Sequence, residues 1–525
     1  MVLRKIWQKS LLAAVCTAGC MLSPAAHAED LTIIYVPLDN RPVCDDYVRQ
    51  TMEAAGCKII QPPEKFIADN NKNADPEKIW EWLERKAPKA DAAVISTDTL
   101  IYGGLVASRT HLLSQDTLNA RINRLANLKA SLPIKIYAFS TIMRTPRASK
   151  GRVEPPYYTV CGPSIFAYSE LLDKENQNKL TLIDKLKMQT LERNLPAAEL
   201  GDWLQRREKN LKVNIQLTRL ARSNRFHYLA IGKDDNATLS STHMEARELA
   251  RSTFGVSPQV MQIIDGVDQL GILLMARAYN EANKLTPSIY TEYSPGVGAS
   301  TLPQYSDARL QDSVPQQIIA AGAQQANQPQ GAGFILAINT PADGIVKDST
   351  ADDNQFFASP ANKAFIHTLS HQIDGGAKIS LADISYSNGA DNGFMNALAN
   401  TGKLPELLAY NGWNTADNAI GFAIAQGIMA MHMQPQDKDL LMRQRIIDDW
   451  YYQSNARRWV SDALSKHNRE EMKYELDIAE EPVLKKITAD CYELAKKYSF
   501  TRSTDFELSF PWKRLFEVDV KIKKK

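Results

Sequence analysis

Short β-branched, apolar runs recur along this chain, and between them apolar residues return at helical spacing. The runs lie at 31–36, 57–61, 91–96, 134–139, 226–231, 260–264, 288–293, 333–338, 378–383 and 406–410. The clearest is Leu31-Thr-Ile-Ile-Tyr-Val36, apolar on both faces. Such a run suits a parallel strand covered on both sides by helices. The repetition predicts an α/β protein with parallel strands and crossover helices. Ten strands fit two Rossmann-like sheets, with a break near 275–285, or one extended (β/α) barrel. Either architecture puts chemistry at the carboxyl ends of strands.

The helices carry their own signals. Asp75 and Pro76 open one, with Ile79, Trp80 and Leu83 on its buried face. Leu118, Ile122, Leu125 and Leu128 form a second core stripe. Leu270 to Ala276 and Ile420 to Met431 are too short to span a bilayer and are expected as buried helices. Residues 150–225 separate two strands by far more than one crossover and predict an inserted helical subdomain. Segment 322–332 is rich in Gln, Gly and Ala and predicts a loop or frayed helix end. After about 432 strands are expected to stop, and the chain closes on Phe506 to Val520. The expected organisation is a leader at 1–28, an α/β domain at 29–280 holding the insertion, a second α/β region at 281–432, and a mainly helical region at 433–525.

The leader has the three parts of a secretory signal. Arg4, Lys5 and Lys9 precede an apolar stretch from Leu11 to about Leu22, and Ala26-His27-Ala28 supplies small residues for cleavage before Glu29. Thr17-Ala18-Gly19-Cys20 resembles a weak lipoprotein box, so a lipid anchor at Cys20 is the lesser alternative. A periplasmic or secreted protein is expected. Removing three basic residues turns the formal charge of +2 into −1, which leaves no basic footprint for nucleic acid. Lys521, Lys523, Lys524 and Lys525 form a small basic end. Beyond the leader stand Cys44, Cys57, Cys161 and Cys491, without a CxxC pair. Export permits Cys44 and Cys57, which flank one expected helix, to pair.

Polar residues collect where strands end. Val36 runs into Asp39-Asn40-Arg41, and 91–96 into Asp98, Tyr102 and Arg109. Strand 134–139 leads to Arg144, 226–231 to Asp234-Asp235-Asn236, and 260–264 to Asp265-Gly266-Val267-Asp268. Strand 378–383 ends in Asp383, followed by Asn388 and Asp391; 406–410 leads to Trp413-Asn414, then Asp417 and Asn418. Any one such ending is explained by helix capping. Together, on one side of parallel sheets, they predict a cleft of carboxylates, amides, arginines and a tryptophan, suited to a polyhydroxylated ligand.

Adjacent Asp234 and Asp235 can split their pKa values, one ionised and one holding a proton. Glycosidic hydrolysis needs that division. Asp39 and Asp383 are the next catalytic candidates, and the glycosidase reading requires Asp234, Asp235, Asp39 and Asp383 to share one cleft. Arg41, Asp98, Tyr102, Arg109, Arg144, Asp268, Asn388, Asp391, Trp413, Asn414 and Asn418 are candidate binding residues, with Trp413 as a sugar platform. No cofactor is expected. A divalent cation is a second use for such carboxylates, but no metal ligand set is assigned. Seven histidines remain beyond His27; His367 and His371 are i, i+4 without an HExxH pattern and suit a surface helix. No GxSxG elbow, GxxxxGK[ST] loop or GxGxxG fingerprint is present.

These clusters resemble, in order, the motifs of the bacterial domain-of-unknown-function family 4127 (DUF4127). The matching residues are Pro37-Leu38-Asp39-Asn40-Arg41-Pro42, Asp98 with Tyr102-Gly103-Gly104-Leu105-Val106-Ala107-Ser108-Arg109, Met143-Arg144, Asp234-Asp235, Asn388-Gly389-Ala390-Asp391 and Gly412-Trp413-Asn414-Thr415. Asp448-Asp449-Trp450, Pro511-Trp512-Lys513-Arg514 and Phe516-Glu517 complete the likeness. Where the family carries Gly-Ala-Asp-Glu, this chain has Gly266-Val267-Asp268-Gln269, one carboxylate fewer. The resemblance implies one shared site and supplies no activity. The residues themselves point to an exported hydrolase of a carbohydrate or cell-envelope glycan. The alternatives are a non-catalytic, two-lobed sugar-binding protein and a metal-dependent hydrolase of phosphate or amide bonds.

Overall fold

The computed structural model describes residues 31–131 and 134–523. The leader, with its cleavage site and Cys20, and Lys524-Lys525 lie outside them. All ten expected strands form, in two open sheets rather than a barrel. The first sheet holds β1 (Thr32–Val36), β2 (Lys58–Ile60), β3 (Ala92–Ser96), β4 (Lys135–Ile142), β5 (Tyr228–Lys233) and β6 (Met261–Asp265), in the order β2-β1-β3-β4-β5-β6. The second holds β7 (Ser288–Tyr293), β8 (Gln324–Gln325), β9 (Phe334–Asn339), β11 (Ile379–Asp383) and β13 (Ala409–Asn411), in the order β13-β11-β9-β7-β8. Between them in sequence, β10 (Lys347–Asp348) pairs with β12 (Tyr386–Ser387). Every pairing within the two sheets is parallel.

Alternation of side chains along each strand divides the core. Ile33 and Tyr35 face the middle of the molecule, while Ile34 and Val36 face outward toward the helices Pro76–Lys86, Gln115–Ser131 and Ala197–Arg222. In the second sheet Phe334, Leu336 and Ile338 face the middle, while Ile335 and Ala337 face the helices Pro360–Asp374 and Asn392–Asn400. The middle layer is made by the helices Asp46–Ala54, Leu270–Ala282, Leu310–Ala320 and Ala416–Ala430. Two of these match the expected buried apolar segments, and Ala416–Ala430 is buried along its whole length. A helix caught between two sheets has no solvent face, so it is apolar all round. Gly427 lets that helix lie against the Phe334 ring, where a Cβ would come within 3.0 Å.

Residues 150–225 contain three helices, Tyr158–Asn176, Leu182–Asn194 and Ala197–Arg222, with a small apolar cluster around Tyr158, Ile165 and Trp203. Asp75 caps its helix through the Lys78 amide, with Pro76 in first position. His367 and His371 lie exposed on the helix Pro360–Asp374.

Strand formation does not stop at 432. Phe506–Ser509 (β14) and Asp519–Ile522 (β15) pair antiparallel. Their alternation is confined to four residues each, too short to stand out in a helical region. Likewise β8 is a two-residue edge strand inside the expected loop 322–332. The C-terminal helices cover the outer face of the second sheet, and one of them, Ile446–Ala456, is a π-helix. The hairpin then returns to the start of the chain. Trp512 Nε1 donates to Asn40 Oδ1 at 2.7 Å, and Tyr47 Oη donates to the Val518 carbonyl at 3.4 Å.

Candidate functional site at the strand ends

The strand order of the first sheet reverses between β1 and β3, and a crevice at the carboxyl ends is expected there. Asp39 and Asp98 flank it. Thr99 Oγ1 fastens the two turns by donating to the Pro37 and Leu38 carbonyls at 2.7 and 3.1 Å. Arg41 donates Nε to Asp39 Oδ1 at 2.9 Å and Nη2 to Asp268 Oδ1 at 2.7 Å. Its guanidinium lies 5.3 Å from the Trp512 ring centre. Asn414 Nδ2 reaches Asp268 Oδ2 at 3.4 Å, and Asn418 Oδ1 accepts from the Asp268 amide at 3.1 Å. Asp268 follows the first sheet's last strand, while Asn414 and Asn418 follow the second sheet's last strand. The carboxyl ends of both sheets therefore meet on one side, as the sequence pattern implied.

A second set gathers beyond β3, β4 and β5. Arg109 donates Nη2 to Asp234 Oδ2 at 2.6 Å. Arg144 pairs with Asp235 at 2.5 Å. Glu154 joins the two arginines, taking Arg144 Nη2 at 2.6 Å and Arg109 Nη1 at 3.5 Å. Asp98 is fully buried; Thr141 Oγ1 donates to its Oδ1 at 2.8 Å, and its Oδ2 has no partner. Burial pushes the Asp98 carboxyl up to about 7, against the Thr141 hydrogen bonds, with Asp234 adding to the rise. Burial also raises Asp235, opposed by Arg144 and reinforced by Asp234. Tyr102 stacks on the His111 ring at 4.9 Å, and burial followed by the Asp98 charge raises its phenol.

In the second sheet, Asp383 accepts from Asn339 Nδ2 and from the Asp391 amide, both at 2.8 Å. Burial, then the neighbouring Asp391 charge, pushes Asp383 up to about 8. Asp391 caps the helix Asn392–Asn400 through the Phe394 amide. Asn388 donates its amide to the Asn414 carbonyl at 2.6 Å and its Nδ2 to Asp348 Oδ2 at 2.8 Å. The loop around Tyr305 ties both rims: the Asn236 amide donates to the Tyr305 carbonyl at 2.9 Å, and Ser387 Oγ donates to Gln304 Oε1 at 3.2 Å.

The expected residues thus fall into three groups. Asp39, Arg41, Asp268, Asn414 and Asn418 form one; Asp98, Tyr102, Arg109, Arg144, Asp234 and Asp235 form another; Asp383, Asn388 and Asp391 belong to the second sheet. Among the described residues no side-chain hydrogen bond or ion pair joins Asp39 or Asp383 to Asp234 or Asp235. Asp39 is held by Arg41, and Asp383 is a fully buried anchor for the Asn388–Asp391 turn. Trp413 is also not an open platform. It is buried to 3% exposure against the Phe516 ring, 5.6 Å between centres. The aromatic at the mouth is Tyr305, 42% exposed, whose hydroxyl senses Asp235 and Asp348. Cys44 and Cys57 are free thiols; Cys44 Sγ instead accepts from Arg41 Nη2 at 3.3 Å.

Some site residues carried no sequence signal. Glu154 stands in a Lys-, Gly- and Pro-rich stretch, where a lone acidic residue suggests a solvated loop. Asp307 is another: Lys233, which belongs to the strand-end cluster after 226–231, bridges Asp265 at 2.9 Å and also pairs with Asp307. Burial raises Asp265 to about 6 and Asp417 to about 8. Among the described residues no group of three or more His, Cys, Asp and Glu side chains is disposed to hold a metal ion.

No curated protein matches the sequence. The ordered strand-end clusters nonetheless have a counterpart: a family model described as "Protein of unknown function (DUF4127)" matches residues 33–521, which takes in both sheets and the closing hairpin, and the chain belongs to that family.

Proposed function

We propose that this chain is an exported hydrolase of a hydroxyl-rich substrate, a carbohydrate of the cell-envelope glycan class, acting by carboxylate acid/base catalysis. Export rests on the leader at 1–28. The chemistry rests on one observation: at the ends of β3 and β5, burial pushes Asp98 up to about 7 and raises Asp235 against its ion pair with Arg144, and both lie beside Asp234, which is ion-paired with Arg109. A carboxyl raised by burial next to a paired carboxylate is the kind of asymmetry on which general acid catalysis draws. Asp235, with a side chain 25% exposed, is the member that solvent reaches. It is assigned as the acid, Asp234 as the base or nucleophile, and Asp98 as the neighbour that tunes them. Tyr305, Asn236 and Asn388 would face the hydroxyl groups.

The shared helical layer favours a hydrolase over a two-lobed binding protein. Helices buried against both sheets join the two lobes in one apolar core, which opposes closure of one lobe on the other. The test is a glycan panel incubated with the purified mature chain, reading released reducing ends. Asp235→Asn is expected to lower turnover by about 10²-fold or more while the protein still binds the substrate. Turnover unchanged in Asp235→Asn, or no release from any glycan, overturns the reading.

A further inference from the structure

Arg109 and Arg144 arrive from different elements, a short helix after β3 and the turn after β4, yet both point at one oxygen of Glu154. Arg144 gives Nε and Nη2 to Glu154 Oε1 at 2.7 and 2.6 Å, and Arg109 gives Nη1 at 3.5 Å. Ser149 Oγ donates to the other oxygen. Glu154 is 5% exposed, so this carboxylate has been drawn into the site.

The segment that delivers it belongs to neither sheet. It links β4 to the helix Tyr158–Asn176, and its outer edge is fastened by exposed pairs, Arg152 with Glu475 at 2.8 Å and Lys150 with Glu470 at 3.8 Å. Exposed pairs of this kind hold a loop weakly. Inside, two guanidiniums face three carboxylates: Asp234, Asp235 and Glu154. If Glu154 withdraws, two positive groups remain beside two aspartates, at the rim where Asp235 and Tyr305 meet solvent. An arriving carboxylate then restores the original charge count and the same fork of donors. Arginine suits this exchange because its planar donors match a carboxylate.

We propose that Glu154 is a built-in stand-in for a ligand carboxylate, so that the site takes an acidic sugar of the uronic-acid class whose carboxylate displaces Glu154 from Arg144 and Arg109. The inference rests on the placement of the site proposed above, and its test reads binding rather than turnover.

The test is calorimetric titration of the mature chain with glucuronate, with glucose as the neutral sugar and inorganic phosphate as the non-sugar anion. Glu154→Gln is expected to bind glucuronate about tenfold tighter than the parent, a change smaller than one charge-assisted hydrogen bond can account for. Ser149→Ala, which frees Glu154 without altering any charge, is expected to shift affinity the same way by a smaller factor. Arg144→Gln should abolish glucuronate binding. Glucose and phosphate should respond to none of these changes. The proposal is overturned if neither Glu154→Gln nor Ser149→Ala tightens glucuronate binding. It is also overturned if glucose binds as well as glucuronate, or if phosphate gains as much as glucuronate in Glu154→Gln. Turnover of neutral glycans without glucuronate binding would sink this inference alone. Glucuronate binding without turnover of any glycan would sink the hydrolase reading alone.

Discussion

Replacing Asp98 with Asn should stabilise the protein at alkaline pH and leave it nearly unchanged in acid. Asp98 has no exposed surface, one hydrogen bond from Thr141 Oγ1 and a second oxygen without a partner. Its carboxyl is pushed from 3.8 up to about 7, mainly by burial. A native group with a raised pKa binds more protons than the unfolded chain does between about pH 4 and pH 7. Stability therefore falls as pH rises through that window and levels off above it. A shift of about three units corresponds to about 4 kcal/mol of stability present below pH 4 and absent above pH 7. Asparagine does not titrate and escapes that loss. Its Nδ2 would take the place of Oδ2 without an acceptor, at a cost of about 1–3 kcal/mol. In acid the protonated Asp98 carries the same burden, so there the two proteins should match. The electrostatic effect is the larger, and the variant should gain a few kcal/mol at pH 8. The assay is equilibrium urea unfolding of both proteins at pH 4.5 and pH 8, followed by tryptophan fluorescence. If Asp98→Asn is destabilised equally at both values, Asp98 is ionised in the native protein and its assignment as the protonated neighbour that tunes Asp234 and Asp235 fails.

Arg41→Gln should cost about 3–5 kcal/mol in the same unfolding assay, because Asp39 and Asp268 would lose their shared guanidinium while still buried. Adding Asp268→Asn should recover part of that loss; full additivity of the two changes would show that Arg41 does not hold the pair together. The four cysteines beyond the leader are buried and free, so a thiol reagent should label none of them in the native protein and all of them in denaturant without reductant. Fewer than four thiols in denaturant would reveal a disulfide.

Much of the fold was legible because the central strands are covered on both faces. Ile33 to Val36 and Phe334 to Ile338 are continuous apolar runs for that reason. The all-apolar stretches at 270–276 and 420–431 declared the middle layer equally well. A two-residue edge strand such as Gln324–Gln325 has no such signature, because its side chains are exposed. The site was legible as a list and not as a map. Asp39, Asp98, Asp234 and Asp383 all stand at or after strand ends, yet which partner each one meets depends on the fold, and that is not written in spacing. Asp383 illustrates this: its partner Asp391 lies eight residues on, close enough to keep it in its own sheet. Glu154 was invisible because its role depends on Arg109, 45 residues away, and on a loop with no periodicity.

The closing hairpin sets an order of events. Asn40 waits for Trp512, a partner 472 residues later in the chain, and Arg41 has its aromatic neighbour only when that same ring arrives. A polypeptide made from its amino end can lay down both sheets while this roof is still missing. Contacts of such sequence separation form late and slowly. A chain cut short of Trp512 would carry the strands of both sheets without the Asn40 hydrogen bond and without the ring beside Arg41.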